Sequence, residues 1–319
     1  MKKLKFLIIL LAFVTLISGC KTKKSDKKYV AVIAKSANSD FFINMKNGAF
    51  GAATEYNVKV TFEGPENEED YETQNEMILS AVKNGADAIL LSAIDYNKSD
   101  KAVNTAVKKG VKVITVDSGI SSNLVSLFIG TDNKKSGRQA GEAVLNGFNS
   151  NTDINIGIVS FSEQTDNSKL RERGFKEAIA ANQKAKIIGT KIAKSNIESA
   201  KQSAKELLKE YPQINVLVGF NEWITLGIGE AVKEEKAGNY VKAVGFDCNV
   251  SSVAMLETGE MDSLIVQNPF AMGYLGVKNA LELIEGNSPE SEVLYTDTVT
   301  VNKTNMFDED IQKLLFRFD

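Results

Sequence analysis

Lys112-Val113-Ile114-Thr115-Val116-Asp117 and, about 130 residues further on, Lys242-Ala243-Val244-Gly245-Phe246-Asp247 follow one plan. A lysine opens each, four mostly apolar residues follow, and an aspartate closes it. An apolar run without alternation describes a strand buried on both faces, as in a parallel sheet covered by helices. Ala88-Ile89-Leu90-Leu91 and Val216-Leu217-Val218-Gly219 repeat at nearly the same offset. The chain therefore carries one α/β plan twice.

Outward from these runs the alternation continues. Further strands are predicted at Tyr29–Ala34, Val58–Phe62, Ser126–Ile129, Ile154–Val159, Ala185–Ile188 and Leu264–Val266. Amphipathic helices are predicted over Asp40–Tyr56, Tyr71–Lys83, Lys98–Lys109, 168–182, 197–210, 223–237 and 249–258. Phe42, Met45, Ala49 and Ala52 give the first its apolar face, and Gly85 ends the second as a C-terminal glycine does. In open doubly wound sheets ligands bind beyond the carboxyl ends of the strands. Asp117, Asn221, Asp247 and Gln267 stand there. Asp and Asn at such places also cap the following helix, so each position has two readings.

Composition narrows the function. The 319 residues suffice for two lobes, and 43% hydrophobic with 25% charged residues describes a globular chain. Net charge is −3, so nucleic acid is not an expected partner. The absence of histidine removes the commonest general base and zinc ligand, and with them Ser-His and Cys-His pairs. No phosphate-binding glycine motif occurs, and no metal or cofactor is expected.

The N-terminus has Lys2, Lys3 and Lys5, an apolar stretch from Phe6 to Ile17, and then Ser18-Gly19-Cys20. That stretch is well short of the ~20 residues of a membrane span and describes a secretory signal. Leu16-Ile17-Ser18-Gly19-Cys20 resembles the lipobox of bacterial lipoproteins. The resemblance implies a signal peptide over residues 1–19, cleavage before Cys20, and a lipid on that thiol holding the protein at the extracytoplasmic face of the cell membrane. Residues 20–28 form a basic tether that either lies against anionic headgroups or is simply solvated. With Cys20 lipidated, Cys248 has no disulfide partner.

Five motifs together resemble the periplasmic solute-binding proteins of the ribose- and galactose-binding type, which share their fold with the sensing domain of lactose-repressor-like regulators. They are Asn38-Ser39-Asp40-Phe41-Phe42, Val113-Ile114-Thr115-Val116-Asp117, Arg171-Glu172-Arg173-Gly174-Phe175, Gly219-Phe220-Asn221-Glu222 and Val244-Gly245-Phe246-Asp247. The resemblance runs from about Tyr29 to Lys303. It implies a type I periplasmic binding protein, α/β, with two doubly wound parallel-sheet lobes joined by a three-strand hinge. Crossings are expected near Thr131-Asp132, Gln267-Asn268 and Thr296. The N-terminal lobe would hold 29–131 plus 268–295, and the C-terminal lobe 132–267 plus 296–319.

The resemblance also implies ligand contacts. Phe41 and Phe42 would lay rings on the C–H face of a sugar, one of the two serving the core. Asp117 and Asp247 would accept from vicinal hydroxyls, Arg171 would donate to a ring oxygen and a hydroxyl, and Asn221 and Gln267 would give and accept. Ser39, Ser118 and Trp223 complete the expected set, and Arg173 is expected at the surface. Ser118 stands where the ribose-binding pattern has a second arginine, so a charged donor is missing there. Lys35 either replaces it or points outward, and Asp40 is either an acceptor or a helix cap.

Three functions follow. A monomeric lipid-anchored binder would close on a monosaccharide or polyol and deliver it to the permease of an ABC importer. A sensor subunit would pass the closed state to a membrane histidine kinase. A glycosidase using Asp117 and Asp247 is disfavoured, because both are expected to be ionised acceptors with no activating environment. A transcription repressor would need a helix-turn-helix ahead of the first strand.

Overall fold

A computed structural model describes residues 27–161 and 165–315. Cys20, the signal and most of the tether lie outside the described residues. Two six-stranded sheets carry the chain. The first comprises β1 (Tyr29–Ile33), β2 (Lys59–Glu63), β3 (Ala88–Leu91), β4 (Lys112–Val116), β5 (Leu127–Thr131) and β11 (Val293–Thr296), in the order β11-β5-β4-β3-β1-β2. The second comprises β6 (Ile154–Ser160), β7 (Ala185–Ile192), β8 (Val216–Gly219), β9 (Lys242–Phe246), β10 (Ser263–Val266) and β12 (Val299–Asn302), in the order β12-β10-β9-β8-β6-β7. Among the described residues only β12 runs antiparallel, against β10. The two orders match strand for strand, so the duplicated sequence is a duplicated topology. In each lobe the order reverses beside the first strand, where the crevice for a ligand opens.

The helices are α1 (Asp40–Glu55), α2 (Tyr71–Lys83), α3 (Asp100–Lys108), α4 (Asn133–Asn146), α5 (Asp166–Ile179), α6 (Ile197–Glu210), α7 (Glu222–Glu234), α8 (Val250–Thr258), α9 (Pro269–Glu285) and α10 (Glu309–Leu315). In the first lobe α1 and α9 cover one face of the sheet, while α2 and α3 cover the other. In the second lobe α4 packs with α5, and α6 with α7. β3, β4, β8 and β9 are buried along nearly their whole length, which is why they read as unbroken apolar runs.

The chain passes between the sheets three times: from β5 to α4, which packs on β9 and β10; from β10 to α9, which packs on β3 and β4; and from β11 to β12. α4 and α9 were not foreseen from the sequence. Each lies against a partner helix at backbone contact through glycine. A Cβ on Gly174 of α5 would stand 2.0 Å from the Lys134 carbonyl oxygen of α4, and one on Gly273 of α9 would stand 1.9 Å from that of Met45 in α1. The small residues that permit this approach also erase the apolar periodicity by which a helix is recognised.

Candidate ligand-binding site

Asp117 and Asp247 each follow the last residue of a buried strand, β4 and β9. Both adopt a left-handed backbone, with φ of 62° and 70°. Such a conformation is uncommon outside glycine, more so at matching positions of two lobes, and residues held this way cluster at binding sites. Neither aspartate caps the next helix; Asn249 caps α8. Both side chains are buried, and groups from both lobes surround them.

At Asp117, Oδ2 meets Lys35 Nζ at 2.8 Å, with both residues 3% exposed, and accepts from Ser92 Oγ at 2.8 Å. Lys35 thus points inward and supplies the positive charge that Ser118 does not. Asn167 of the other lobe donates to Asp117 Oδ1 at 3.4 Å. Burial opposes the charge most strongly, but Lys35, Arg171 and the bonds from Lys35 and Ser92 outweigh it and hold this carboxyl below its usual range. Ser118 is buried, and its hydroxyl has no hydrogen-bond partner among the described residues.

Arg171 is 1% exposed. Its Nε donates to Asn133 Oδ1, one terminal nitrogen to the Phe220 carbonyl and the other to Gln267 Oε1, each at 2.8 Å, and the guanidinium stacks 4.7 Å from the Phe246 ring. Gly174, one turn along α5, brings α4 close enough for Asn133 to reach it. Gln267 Oε1 also accepts from Thr131 Oγ1 at 2.7 Å, and its Nε2 donates to Asp247 Oδ1 at 2.6 Å. Thr131 and Gln267 are the last residues before two of the crossings, so this network ties the hinge to Asp247.

Asp247 departs from the expectation of two ionised acceptors. Burial drives its pKa up; Arg171 and the Gln267 bond offset only part of this, and the charges of Glu222 and Asp117 add to it. The result is about 7. Three of the Arg171 N–H groups serve Asn133, Phe220 and Gln267, and the guanidinium acts on Asp247 through its charge. Asp247 is 6% exposed and lines the cavity between the lobes.

The remaining expected residues divide. Phe41 lines a half-open cavity between the lobes with Asp247, Asn249, Gln267 and Phe270. Phe42 is a core residue of the first lobe and meets Phe41 edge to face at 5.1 Å. Asn221 both caps α7, accepting from Ile224 N, and donates to Ser195 Oγ at 2.8 Å. Ser39 does not cap α1 with its side chain; its hydroxyl donates to Glu222 Oε2 of the other lobe at 2.5 Å. Asp40 is exposed in the first turn of α1 and reaches the rim of the cavity. Trp223 is half-buried near the start of α7, and Arg173 is at the surface, paired with Glu177. Sequence reasoning passed over Ser92, Asn133 and Asn167, and over Glu68 and Glu222. Asn133 and Glu222 begin helices just after a hinge crossing and a strand, and that placement is the signal that could have found them.

Two doubly wound lobes of matching strand order, three crossings and acidic residues meeting between them define a bilobal binding protein. Comparison with known proteins gives the family: the chain belongs to the periplasmic binding protein family, whose domain matches residues 30–288. It is 26% identical over 285 residues to the D-ribose/D-allose-binding protein of Pseudomonas aeruginosa, covering 86% of this chain and 88% of that one. It is 27% identical to the ribose import binding protein of Haemophilus influenzae, covering 91% and 97%. Among solved structures, a carbohydrate transporter solute-binding protein of Agrobacterium radiobacter in complex with D-arabinose superposes with a TM-score of 0.88 at 27% identity, covering 92% of this chain and all of that one. A sugar transporter of Clostridium phytofermentans is 32% identical, with a TM-score of 0.78, covering 87% of this chain and all of that one. These relatives are binding and transport proteins, not enzymes. Among the described residues no helix is long and apolar enough to cross a membrane.

Proposed function

We propose that this protein is a lipid-anchored extracytoplasmic receptor that closes its two lobes on a monosaccharide and delivers it to the permease of an ABC importer. One observation carries the reading: two strand-end aspartates from different lobes, both left-handed and both buried, converge between the sheets with Arg171 and Lys35. Asp117 Oδ1 and Asp247 Oδ2 are the acceptors for sugar hydroxyls. A guanidinium has five N–H groups and Arg171 has three engaged, so two remain for ring and hydroxyl oxygens. The Ser118 hydroxyl and the remaining N–H groups of Asn221 and Gln267 fill out the polar rim, and Phe41 gives an apolar wall.

The ligand class rests on relatives named for ribose, allose and arabinose together with this donor and acceptor set. Lysine at position 35, in place of a second arginine beside Asp117, sets the protein apart from the ribose-binding pattern and makes its preferred sugar a question for experiment. The lobes, 29–131 with 268–296 and 132–267 with 297–319, move as bodies about the three crossings, with Thr296 closing β11 of the first sheet, and the protein acts as a monomer. Cys20 carries the lipid, and residues 20–28 hold the binding body near its permease.

The test is a melting-temperature screen of residues 28–319 against pentoses, hexoses, polyols, nucleosides and amino acids. A ligand that binds only the folded state stabilises it by about 2.7 kcal/mol at a hundredfold excess over Kd. At least one sugar should give a large upward shift, with smaller shifts from close stereoisomers. A shift with a nucleoside or amino acid and with no sugar would keep the fold and overturn the chemistry assigned to the aspartates. Radiolabelled palmitate incorporated by the full chain and lost in Cys20→Ala tests the anchor.

A further inference from the structure

Two contacts cross the cleft in opposite directions, and both join a serine hydroxyl to a carboxylate. Ser39, at the start of α1 in the first lobe, donates to Glu222 Oε2 at the start of α7 in the second. Ser195, just before α6 in the second lobe, donates to Glu68 Oε2 in the first at 2.7 Å. Glu222 does more than meet Ser39. Its Oε2 also accepts the Phe41 backbone N–H at 3.3 Å, and its Oε1 accepts from Asn249 Nδ2 at 2.8 Å.

The first helix shows what this costs. The first N–H groups of a helix have no partner within it, and an N-cap side chain usually serves one of them. Ser39 is the N-cap residue of α1, but its hydroxyl oxygen accepts no backbone N–H of the helix; the side chain is turned to Glu222, to which it donates its single proton. A carboxylate of the opposite lobe takes the place of the local cap and also suits the positive end of the helix dipole. Opening the lobes would leave Glu222 without Ser39 and Phe41, and α1 without its cap.

We propose that Ser39–Glu222 and Ser195–Glu68 are reciprocal latches that set how readily the lobes close, and so fix the protein's affinity for its sugar without touching it. The proposal rests on the hinge-closure reading above. Ser39 is then a latch residue rather than a ligand contact, since its only donor is committed. Glu222 and Glu68 are positioning residues. Both carboxyls are pushed up in pKa, chiefly by burial, as befits groups that lose water when the lobes meet.

A latch that acts through closure has a signature that a ligand contact lacks. It lowers the affinity for every sugar by the same factor, and chiefly by speeding release, because the closed state holds the ligand in. The experiment measures release rates by stopped flow for two sugars found in the screen, with wild type, Ser39→Ala, Glu222→Ala, the double variant and Ser195→Ala. X-ray scattering of the same proteins without sugar gives their radii of gyration.

Ser39→Ala and Glu222→Ala alter different lobes, so a defect of folding would not be shared, and circular dichroism checks each. The expected result is about tenfold faster release (about 1.4 kcal/mol) for both sugars alike in either single variant. The double variant should be little worse than Glu222→Ala, and the ligand-free radius should rise in each. Losses that differ between the two sugars would make Ser39 or Glu222 a ligand contact and overturn the proposal. Unchanged release and unchanged radii in folded variants would overturn it too. If no sugar binds wild type, the function reading fails, while the ligand-free radii still decide the latches: an increase in the variants supports them and none rejects them.

Discussion

Asp117 and Asp247 occupy the same place in two copies of one fold, yet their surroundings shift the two carboxyls in opposite directions. Asp117 has Lys35 against one oxygen and Ser92 beside it, and its charge is secured. At Asp247 burial dominates, and the charge of Arg171 and the single bond from Gln267 offset only part of it, so its pKa rises to about 7. The backbone repeat fixes where an acidic group stands, while side chains from other elements decide whether it is ionised. A cleft built this way has one fixed anion and one carboxyl that a ligand's hydroxyls can draw into the charged state.

The sharpest way to break the comparison is to remove the group that makes the two sites differ. Lys35→Met leaves Asp117 buried and unpaired. Breaking a buried ion pair from one side typically costs about 3–5 kcal/mol, so urea unfolding should show a loss of that order, the largest expected here. Lys35→Met combined with Asp117→Leu should recover much of it. An equal loss in the single and double variants would show that the pair does not govern this site.

Gly174→Ala should cost about 1–3 kcal/mol by overpacking α5 on α4. Gly273→Ala should cost a similar amount in the first lobe. Only the Gly174 change should also move Arg171 and weaken sugar binding beyond its effect on stability. Similar binding losses from both would mean that the α4–α5 approach does not set the arginine.

Asp247 predicts a pH dependence of the unliganded protein. Its native pKa lies above its ordinary value, so the native state binds this proton more tightly than the unfolded chain does. The stability this adds is complete below about pH 4 and is lost as pH rises to about 7. Thermal melts between pH 5 and 8 should therefore decline with pH. Asp247→Asn should flatten that slope and raise the melting temperature at pH 8 by a few degrees, on the order of 3 °C, while weakening sugar binding. Glu68 and Glu222, also pushed up by burial, contribute a remainder of the same sign; a slope undiminished by the change would exclude Asp247 as a source. The smallest effect belongs to Arg173, two positions from Arg171 but exposed and paired with Glu177 at the surface. Arg173→Ala should change stability by less than about 1 kcal/mol and leave binding unaltered.

The sequence carried the architecture well and the site in part. Tyr71–Lys83, Ala88–Leu91 and 197–210 were legible to the residue, because buried strands and amphipathic helices leave simple periods. α4 and α9 were not, because Gly137, Gly141, Gly273 and Gly276 interrupt the apolar face where helices touch. Asn268 followed by Pro269, with Gly286 at the far end, was a signature that could have located α9. The strand-end aspartates were legible from the repeat. The inward turn of Lys35, the commitment of Ser39 to Glu222 and the high pKa of Asp247 were not, because each depends on groups far apart in sequence that only folding and closure bring together.

The central claim is that the two aspartates hold one sugar between the lobes. Titration calorimetry of residues 28–319 with D-ribose, D-allose, D-arabinose and D-fucose, on wild type, Asp117→Ala and Asp247→Ala, tests it most directly. The account predicts saturable binding of one molecule of at least one of these sugars to wild type, and no measurable binding to either folded variant. Sugar binding that survives the loss of either aspartate would contradict it.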